Sequence, residues 1–188
     1  MKVRELFEYR VFTISNFLSM VRIFLVPLIW YYLEKSTTDP EYNYFAAVIG
    51  FIMVLTDYFD GFLARRLGQE TPLGQYLDPV ADKITIISVA FMLYEYKDYP
   101  LWIIVVVIIR EIIGTFGGGY LLIKREILGR PNYWGKGGVA MAALSGLMYV
   151  LELPYREYTI YSMAVLFIGG TFSYIKKYWK TVLYDKKN

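Results

Sequence analysis

Cysteine and histidine are both absent from the 188 residues. Without cysteine there are no disulfides and no thiol chemistry, although that absence does not identify a compartment. Lacking both residues, the chain also lacks the ligands typical of zinc sites, so nothing in it suggests zinc. Charge is nearly missing over long stretches: residues 13–33 hold one charged residue, Arg22. The net charge is only +3, and no nucleic-acid partner is expected. There is no convincing internal repeat and no low-complexity segment. The opening Met1–Arg10 carries Glu5 and Glu8 and lacks a small-residue cleavage site. No cleavable signal peptide is therefore expected, and membrane insertion would rely on the spans themselves.

What the chain has in abundance is apolar surface: 56% of its residues are hydrophobic and 19% aromatic. Six apolar segments are expected to be transmembrane helices, near residues 13–33, 44–66, 76–96, 101–124, 137–153 and 158–174. Several approach the ~20 residues a helix needs to cross a bilayer, and the last two are shorter. Residues 1–11 read as a short amphipathic helix, with Val3, Leu6, Phe7 and Val11 opposite Lys2, Arg4, Glu5 and Arg10. A frayed terminus is the competing reading of that stretch. The expected fold is an all-α integral membrane protein in one domain over residues 1–188, six spans plus this interfacial helix. Tyrosines and tryptophans gather at span ends, for example Trp30, Tyr31, Tyr32, Tyr96, Trp102, Tyr133 and Trp134, where interfacial anchors belong.

Six spans place both termini on one side. The N-terminus, the second-to-third and fourth-to-fifth connections and the tail together carry fourteen Lys and Arg outside the spans. The other three connections carry three: Lys35, Lys97 and Arg156. That bias puts the termini in the cytoplasm.

Four aspartates, Asp57, Asp60, Asp78 and Asp82, fall within 26 positions. Asp57, Asp60 and Ala64 are spaced to share one helix face, and Asp78 and Asp82 share a face of the next helix. Leu67–Gln75, with Gly68, Pro72 and Gly74, reads as the turn between them. Folding this hairpin would bring four carboxylates together, a cluster that needs cations or bound protons to persist. Oxygen-only ligands suit hard divalent ions such as Mg²⁺ or Mn²⁺. Asp57 lies ~13 Å along its helix from the cytoplasmic end, which describes an intramembrane cleft open to the cytoplasm. Such a cleft can hold a polar head group while an acyl chain stays in lipid.

The order D-x2-D-G-x2-A-R-x8-G-x3-D-x3-D, filled by Asp57, Asp60, Gly61, Ala64, Arg65, Gly74, Asp78 and Asp82, resembles the signature of the CDP-alcohol phosphotransferases. Within that family, Phe59–Arg66, Leu77–Lys83, Ile14–Arg22 and Arg110–Ile113 look most like the phosphatidylglycerophosphate synthases. The resemblance implies transfer of a phosphatidyl group from CDP-diacylglycerol to glycerol 3-phosphate. It also implies two divalent cations, Mg²⁺ or Mn²⁺, a homodimer among membrane lipids, and a bacterial cell membrane with the site facing the cytoplasm. On this reading Asp57, Asp60 and Asp78 hold metal, while Asp82 borders the second metal and is the base for the attacking hydroxyl. Gly61, Ala64 and Gly74 leave room for the nucleotide, Arg65 pairs with phosphate or an acid, and Asn16 joins the CDP-lipid site.

An anionic acceptor needs bases of its own, and Arg110, Arg130 and Lys136 are the candidates. Arg110 could instead pair with Glu111, and Lys136 and Arg130 could serve orientation alone. For Asn16 and Arg22, a helix cap and a buried structural charge compete with roles in the site. Phosphatidylglycerophosphate synthases often continue Gly-Lys with another Lys and a Thr shortly after, whereas this chain reads Gly135-Lys136-Gly137-Gly138-Val139. Other acceptors therefore stay open: phosphatidylglycerol, as in a cardiolipin synthase, inositol phosphate, or serine. Outside the family, a divalent-cation transporter would also need intramembrane acids, but near the midplane and on paired repeats.

Overall fold

The computed structural model describes the backbone of residues 14–67, 72–125 and 133–184, and the side chains of residues 17–59, 81–114, 133–173, 175 and 176. The described residues form six α-helices: α1 (Ile14–Lys35), α2 (Tyr42–Leu67), α3 (Pro72–Lys97), α4 (Leu101–Arg125), α5 (Tyr133–Val150) and α6 (Arg156–Tyr184). Each expected apolar segment is helical, with shifted ends. The interfacial helix expected at 1–11 lies outside the described residues.

Three boundaries correct the sequence reading. The third helix begins at Pro72 rather than near 76, so Gly74 sits in its first turn and not in the connecting turn. Proline suits that position because the first helical residue has no intrahelical use for its N–H. The fifth helix starts at Tyr133, before the Gly135–Gly138 run, and stops at Val150. The sixth is not short: it runs 29 residues, continuing past Tyr174 through a mixed aromatic and basic tail.

The contacts divide the chain into two compact units. The first comprises residues up to Tyr99 together with Tyr149–Glu152. In it, α1 packs against both α2 and α3. Ile29 and Leu33 of α1 are buried with Ala46, Ala47, Ile49 and Met53 of α2 and Met92 and Leu93 of α3. Alanines on α2 let the helix axes approach, as they do where side-chain burial from water cannot drive packing. Trp30 Nε1 donates to Tyr96 Oη at 2.9 Å, tying α1 to the last turn of α3. The α1–α2 connection is closed by local bonds. Ser36 Oγ donates to the Leu33 carbonyl at 2.7 Å. Asp39 Oδ1 accepts from the Glu41 N–H at 3.0 Å, opening α2.

At the end of α3, Asp98 takes a left-handed φ of 55°, and the Tyr99 N–H reaches back to the Leu93 carbonyl at 3.2 Å. The left-handed residue stands where glycine is usual at a helix end, and the bond spans one residue more than the common six-to-one closure. Beside it, buried Lys97 donates to Glu152 Oε1 at 2.6 Å, and Asn43 Nδ2 donates to the same oxygen at 3.4 Å. Glu152 itself has a φ of 52°. One carboxylate thus joins the first turn of α2 to the last residue of α3.

In the second unit α4 packs on α6, with Ile103, Ile104 and Val107 buried along with Ile160, Met163, Ala164 and Phe167. Glycines set the approach of α5 to α6. A Cβ on Gly138 would lie 2.4 Å from Phe167 Cδ1, and one on Gly169 would lie 3.0 Å from Trp134 Cε3.

Among the described residues, two stretches are long and apolar enough to cross a membrane, Phe17–Lys35 and Tyr42–Phe59. Only 22% and 28% of their apolar windows are buried, respectively, which is unlike the core helix of a water-soluble protein. Phe17, Phe24, Val48 and Phe51 are exposed on these two helices while Arg22 is buried. Apolar groups outside and a charge inside is the arrangement that lipid favours.

Candidate active site

The acids meet because of where they stand along their helices. Asp57 is ten residues before the end of α2, and Asp82 ten residues after the start of α3. At 1.5 Å per residue both lie ~15 Å from the linked helix ends, hence at matching height. Between them comes a residue of α1. Arg22 Nη1 donates to Asp82 Oδ1 at 2.6 Å and also to Asp57 Oδ1. Its Nη2 donates to Ser19 Oγ, one turn earlier on α1, at 3.3 Å.

The exposures are unequal. The Arg22 side chain is 2% exposed, whereas Asp57 and Asp82 are 50% and 39% exposed. The cation lies in the packed interior, and the acids that pair with it are partly exposed. Ala81, next to Asp82, is fully buried, whereas Asp82 keeps part of its side chain exposed.

The other members of the aspartate pattern sit where their spacing requires on the backbone. Asp60, Gly61, Ala64 and Arg65 follow Asp57 on α2 without a helix break, and Gly74 and Asp78 precede Asp82 on α3. Asn16 is in the first turn of α1. The side chains of these seven residues lie outside those described, as does Arg130 altogether. Among the described residues no group of three or more acids gathers.

Of the bases expected to meet an anionic acceptor, Arg110 of α4 makes an ion pair with its neighbour Glu111. Its guanidinium carbon stands 4.7 Å from the centroid of the Phe167 ring on α6. The pairing that competed with phosphate binding in the sequence is therefore present. Lys136 is exposed in the first turn of α5. The glycines after it have different reasons. A Cβ at Gly137 would meet only Leu166, at an ordinary 3.7 Å, but at Gly138 it would overlap the Phe167 ring. Residue 138 must be glycine while Phe167 keeps its place, and residue 137 is under no such constraint.

The profile of CDP-alcohol phosphatidyltransferases matches residues 12–174, a range that includes all four aspartates. The chain belongs to that family. Among its relatives, a protein named cardiolipin synthase (CMP-forming) from Streptomyces coelicolor is 36% identical over 186 residues, 93% of this chain and 79% of that protein. A CDP-diacylglycerol–glycerol-3-phosphate 3-phosphatidyltransferase of Pseudomonas fluorescens is 39% identical over 166 residues, 84% of this chain and 82% of the relative. The Bacillus subtilis protein of the same name is 25% identical over 192 residues, 91% of this chain and 97% of its own length.

CDP-alcohol phosphatidyltransferases are in general dependent on divalent metal. The residues present here fit that requirement. Two carboxylates from different helices converge on one Nη1 atom, both keep substantial exposure, and all their donor atoms are oxygen. Arg22 and Ser19 are the site residues that sequence reasoning undervalued. The available signal was the cost of one charge in an apolar segment, together with a hydroxyl three positions earlier on the same helix face.

Proposed function

We propose that this CDP-alcohol phosphatidyltransferase transfers the phosphatidyl group of CDP-diacylglycerol to glycerol 3-phosphate, forming phosphatidylglycerophosphate and CMP. The observation that carries the proposal is the convergence of Asp57 and Asp82 at one height, within a signature whose eight positions are all filled. The names of the Pseudomonas and Bacillus relatives supply the acceptor. Six spans, with the acids opening toward the cytoplasm, complete the reading, supported by the distribution of Lys and Arg.

In the reaction the acceptor hydroxyl oxygen bonds to the lipid-side phosphorus. The bond from that phosphorus to the bridging oxygen breaks, and CMP leaves with the electron pair. Two divalent cations, Mg²⁺ or Mn²⁺, held by Asp57, Asp60, Asp78 and Asp82, would neutralise pyrophosphate oxygens and the charge gathering on the departing CMP. Asp82 accepts the proton of the hydroxyl as it attacks. Its side chain is exposed enough for a soluble acceptor to reach it. Gly61, Ala64 and Gly74 leave space for the nucleotide on the faces that carry the acids, and Arg65 and Asn16 bind the CDP-lipid. Arg110, Arg130 and Lys136 counter the phosphate of the acceptor.

A second reading keeps the site and changes the alcohol. The Streptomyces relative named cardiolipin synthase is similar over nearly the whole chain, and Gly137 stands where a further base is often found. CMP release by purified protein distinguishes them, with CDP-diacylglycerol, Mg²⁺ or Mn²⁺, and one acceptor at a time. Release with glycerol 3-phosphate supports the first reading. Release with phosphatidylglycerol alone would establish the second.

A further inference from the structure

We infer that Arg22 is a positioning residue of the carboxylate site: a fixed, buried cation that clamps Asp57 of α2 to Asp82 of α3 and limits the negative charge those acids present to metal. This rests on the proposed use of Asp57 as a metal ligand and Asp82 as ligand and base. Three observations lead to it. One Nη1 atom serves an oxygen of each acid, although the acids belong to different helices. The guanidinium is held in turn by Ser19 on its own helix. And the arginine is buried while both acids are substantially exposed, so the arginine sets the geometry that the acids adopt.

Two carboxylates at this separation repel, and without a cation between them each would rotate toward water. The clamp removes that freedom and leaves each acid partly exposed beyond its contact with Arg22. It also has an electrostatic consequence of opposite sign. A permanent positive charge beside two ligands weakens the attraction of the site for a divalent ion. Arginine suits the task because it stays charged when buried and its planar fork reaches two partners and the serine together.

Two variants separate this role from simple packing. Arg22→Gln removes the charge and the second arm, and Arg22→Lys keeps the charge on a single donor point. Binding of Mn²⁺ to the full-length protein in nanodiscs, without substrate, is read from the paramagnetic resonance of free Mn²⁺. CMP release with CDP-diacylglycerol and acceptor is measured in parallel. Arg22→Gln is expected to bind Mn²⁺ about tenfold more tightly, through loss of the opposing charge. It should turn over about a hundredfold more slowly, as misplaced reacting groups do. The KM for CDP-diacylglycerol should move less than about threefold, since no ground-state contact is removed. Arg22→Lys should keep Mn²⁺ affinity within about twofold of the wild type and recover part of kcat.

Unchanged or weaker Mn²⁺ binding by folded Arg22→Gln would overturn the clamp, as would an unchanged kcat. Should that variant not fold, Arg22→Lys is compared in the wild-type and Asp82→Asn backgrounds. Its effect on kcat must largely vanish when Asp82 is already changed, and full additivity would reject the coupling. Absence of CMP release from wild-type protein would defeat the proposed reaction while leaving the Mn²⁺ measurement able to decide the clamp.

Discussion

Arg22 and Asp82 stand sixty positions apart in the chain and meet through a 2.6 Å bond from Nη1 to Oδ1. The bond ties one carboxylate oxygen to a buried guanidinium while the acid stays 39% exposed. An acid so held can accept a proton without first being found in a rotamer search.

Asp82→Asn keeps the shape and a hydrogen-bonding group facing Arg22 but cannot take a proton. We expect CDP-diacylglycerol binding within about threefold of wild type and a kcat lower by two to three orders of magnitude, roughly the contribution of a positioned base. Equilibrium binding of the CDP-lipid and CMP release on the same preparation check it. Transfer at the wild-type rate would remove Asp82 from the chemistry.

Asp57→Ala tests the other acid. It takes a carboxylate from the proposed ligand set and one of two partners from Arg22. CMP release should fall on the order of a thousandfold at every Mg²⁺ or Mn²⁺ concentration, with helical content by circular dichroism unchanged. Turnover restored by raising the metal concentration would make Asp57 an auxiliary ligand only.

Much of this site was legible in the sequence because helices translate spacing into faces. Asp57, Asp60 and Ala64, and separately Asp78 and Asp82, are on uninterrupted helices as their intervals required. What spacing could not supply was the third helix. Nothing local to Arg22 says which acids it meets, because those acids are distant in the chain and only the packing of α1 on both α2 and α3 joins them. The same holds for Lys97, which read as a base in a connection, and Glu152, which fell inside the fifth apolar segment. Helix ends failed for a simpler reason. Proline and glycine marked a turn at Leu67–Gln75, but Pro72 is as good a first residue of α3 as it is a breaker.

The Lys97–Glu152 pair gives an asymmetric stability prediction. Lys97 is 2% exposed in its side chain and Glu152 51%. Glu152→Ala strands a buried ammonium and should destabilise by ~2 kcal/mol, whereas Lys97→Met leaves an acid that water can solvate and should cost under ~1 kcal/mol. Thermal unfolding in detergent, followed by circular dichroism, orders the two. Equal losses would mean that Glu152 is held chiefly by Asn43 and by its backbone.

Gly138 and Phe167 should be coupled. A methyl at 138 would stand 2.4 Å from Cδ1 and 2.5 Å from Cε1 of a ring that is 3% exposed, leaving the ring no room to retreat. Gly138→Ala is expected to cost ~2 kcal/mol. Combining it with Phe167→Leu should cost less than the sum of the two single changes by ~1 kcal/mol. Additive losses would show that the ring yields without help.

Lys136 is the cleanest probe of the acceptor. Arg110 is engaged with Glu111 and lies over Phe167, so removing it would disturb packing as well as charge. Lys136 is exposed at the first turn of α5, where its loss leaves the core intact. If it contacts the phosphate of glycerol 3-phosphate, Lys136→Ala forfeits one charge-assisted hydrogen bond, and KM for that acceptor should rise about tenfold. The kcat at saturation should stay within about twofold, because the contact is made equally in ground and transition states. The KM for CDP-diacylglycerol serves as the internal control and should not move. An unchanged acceptor KM would confine Lys136 to orienting the chain in the membrane and shift phosphate recognition to Arg110 and Arg130.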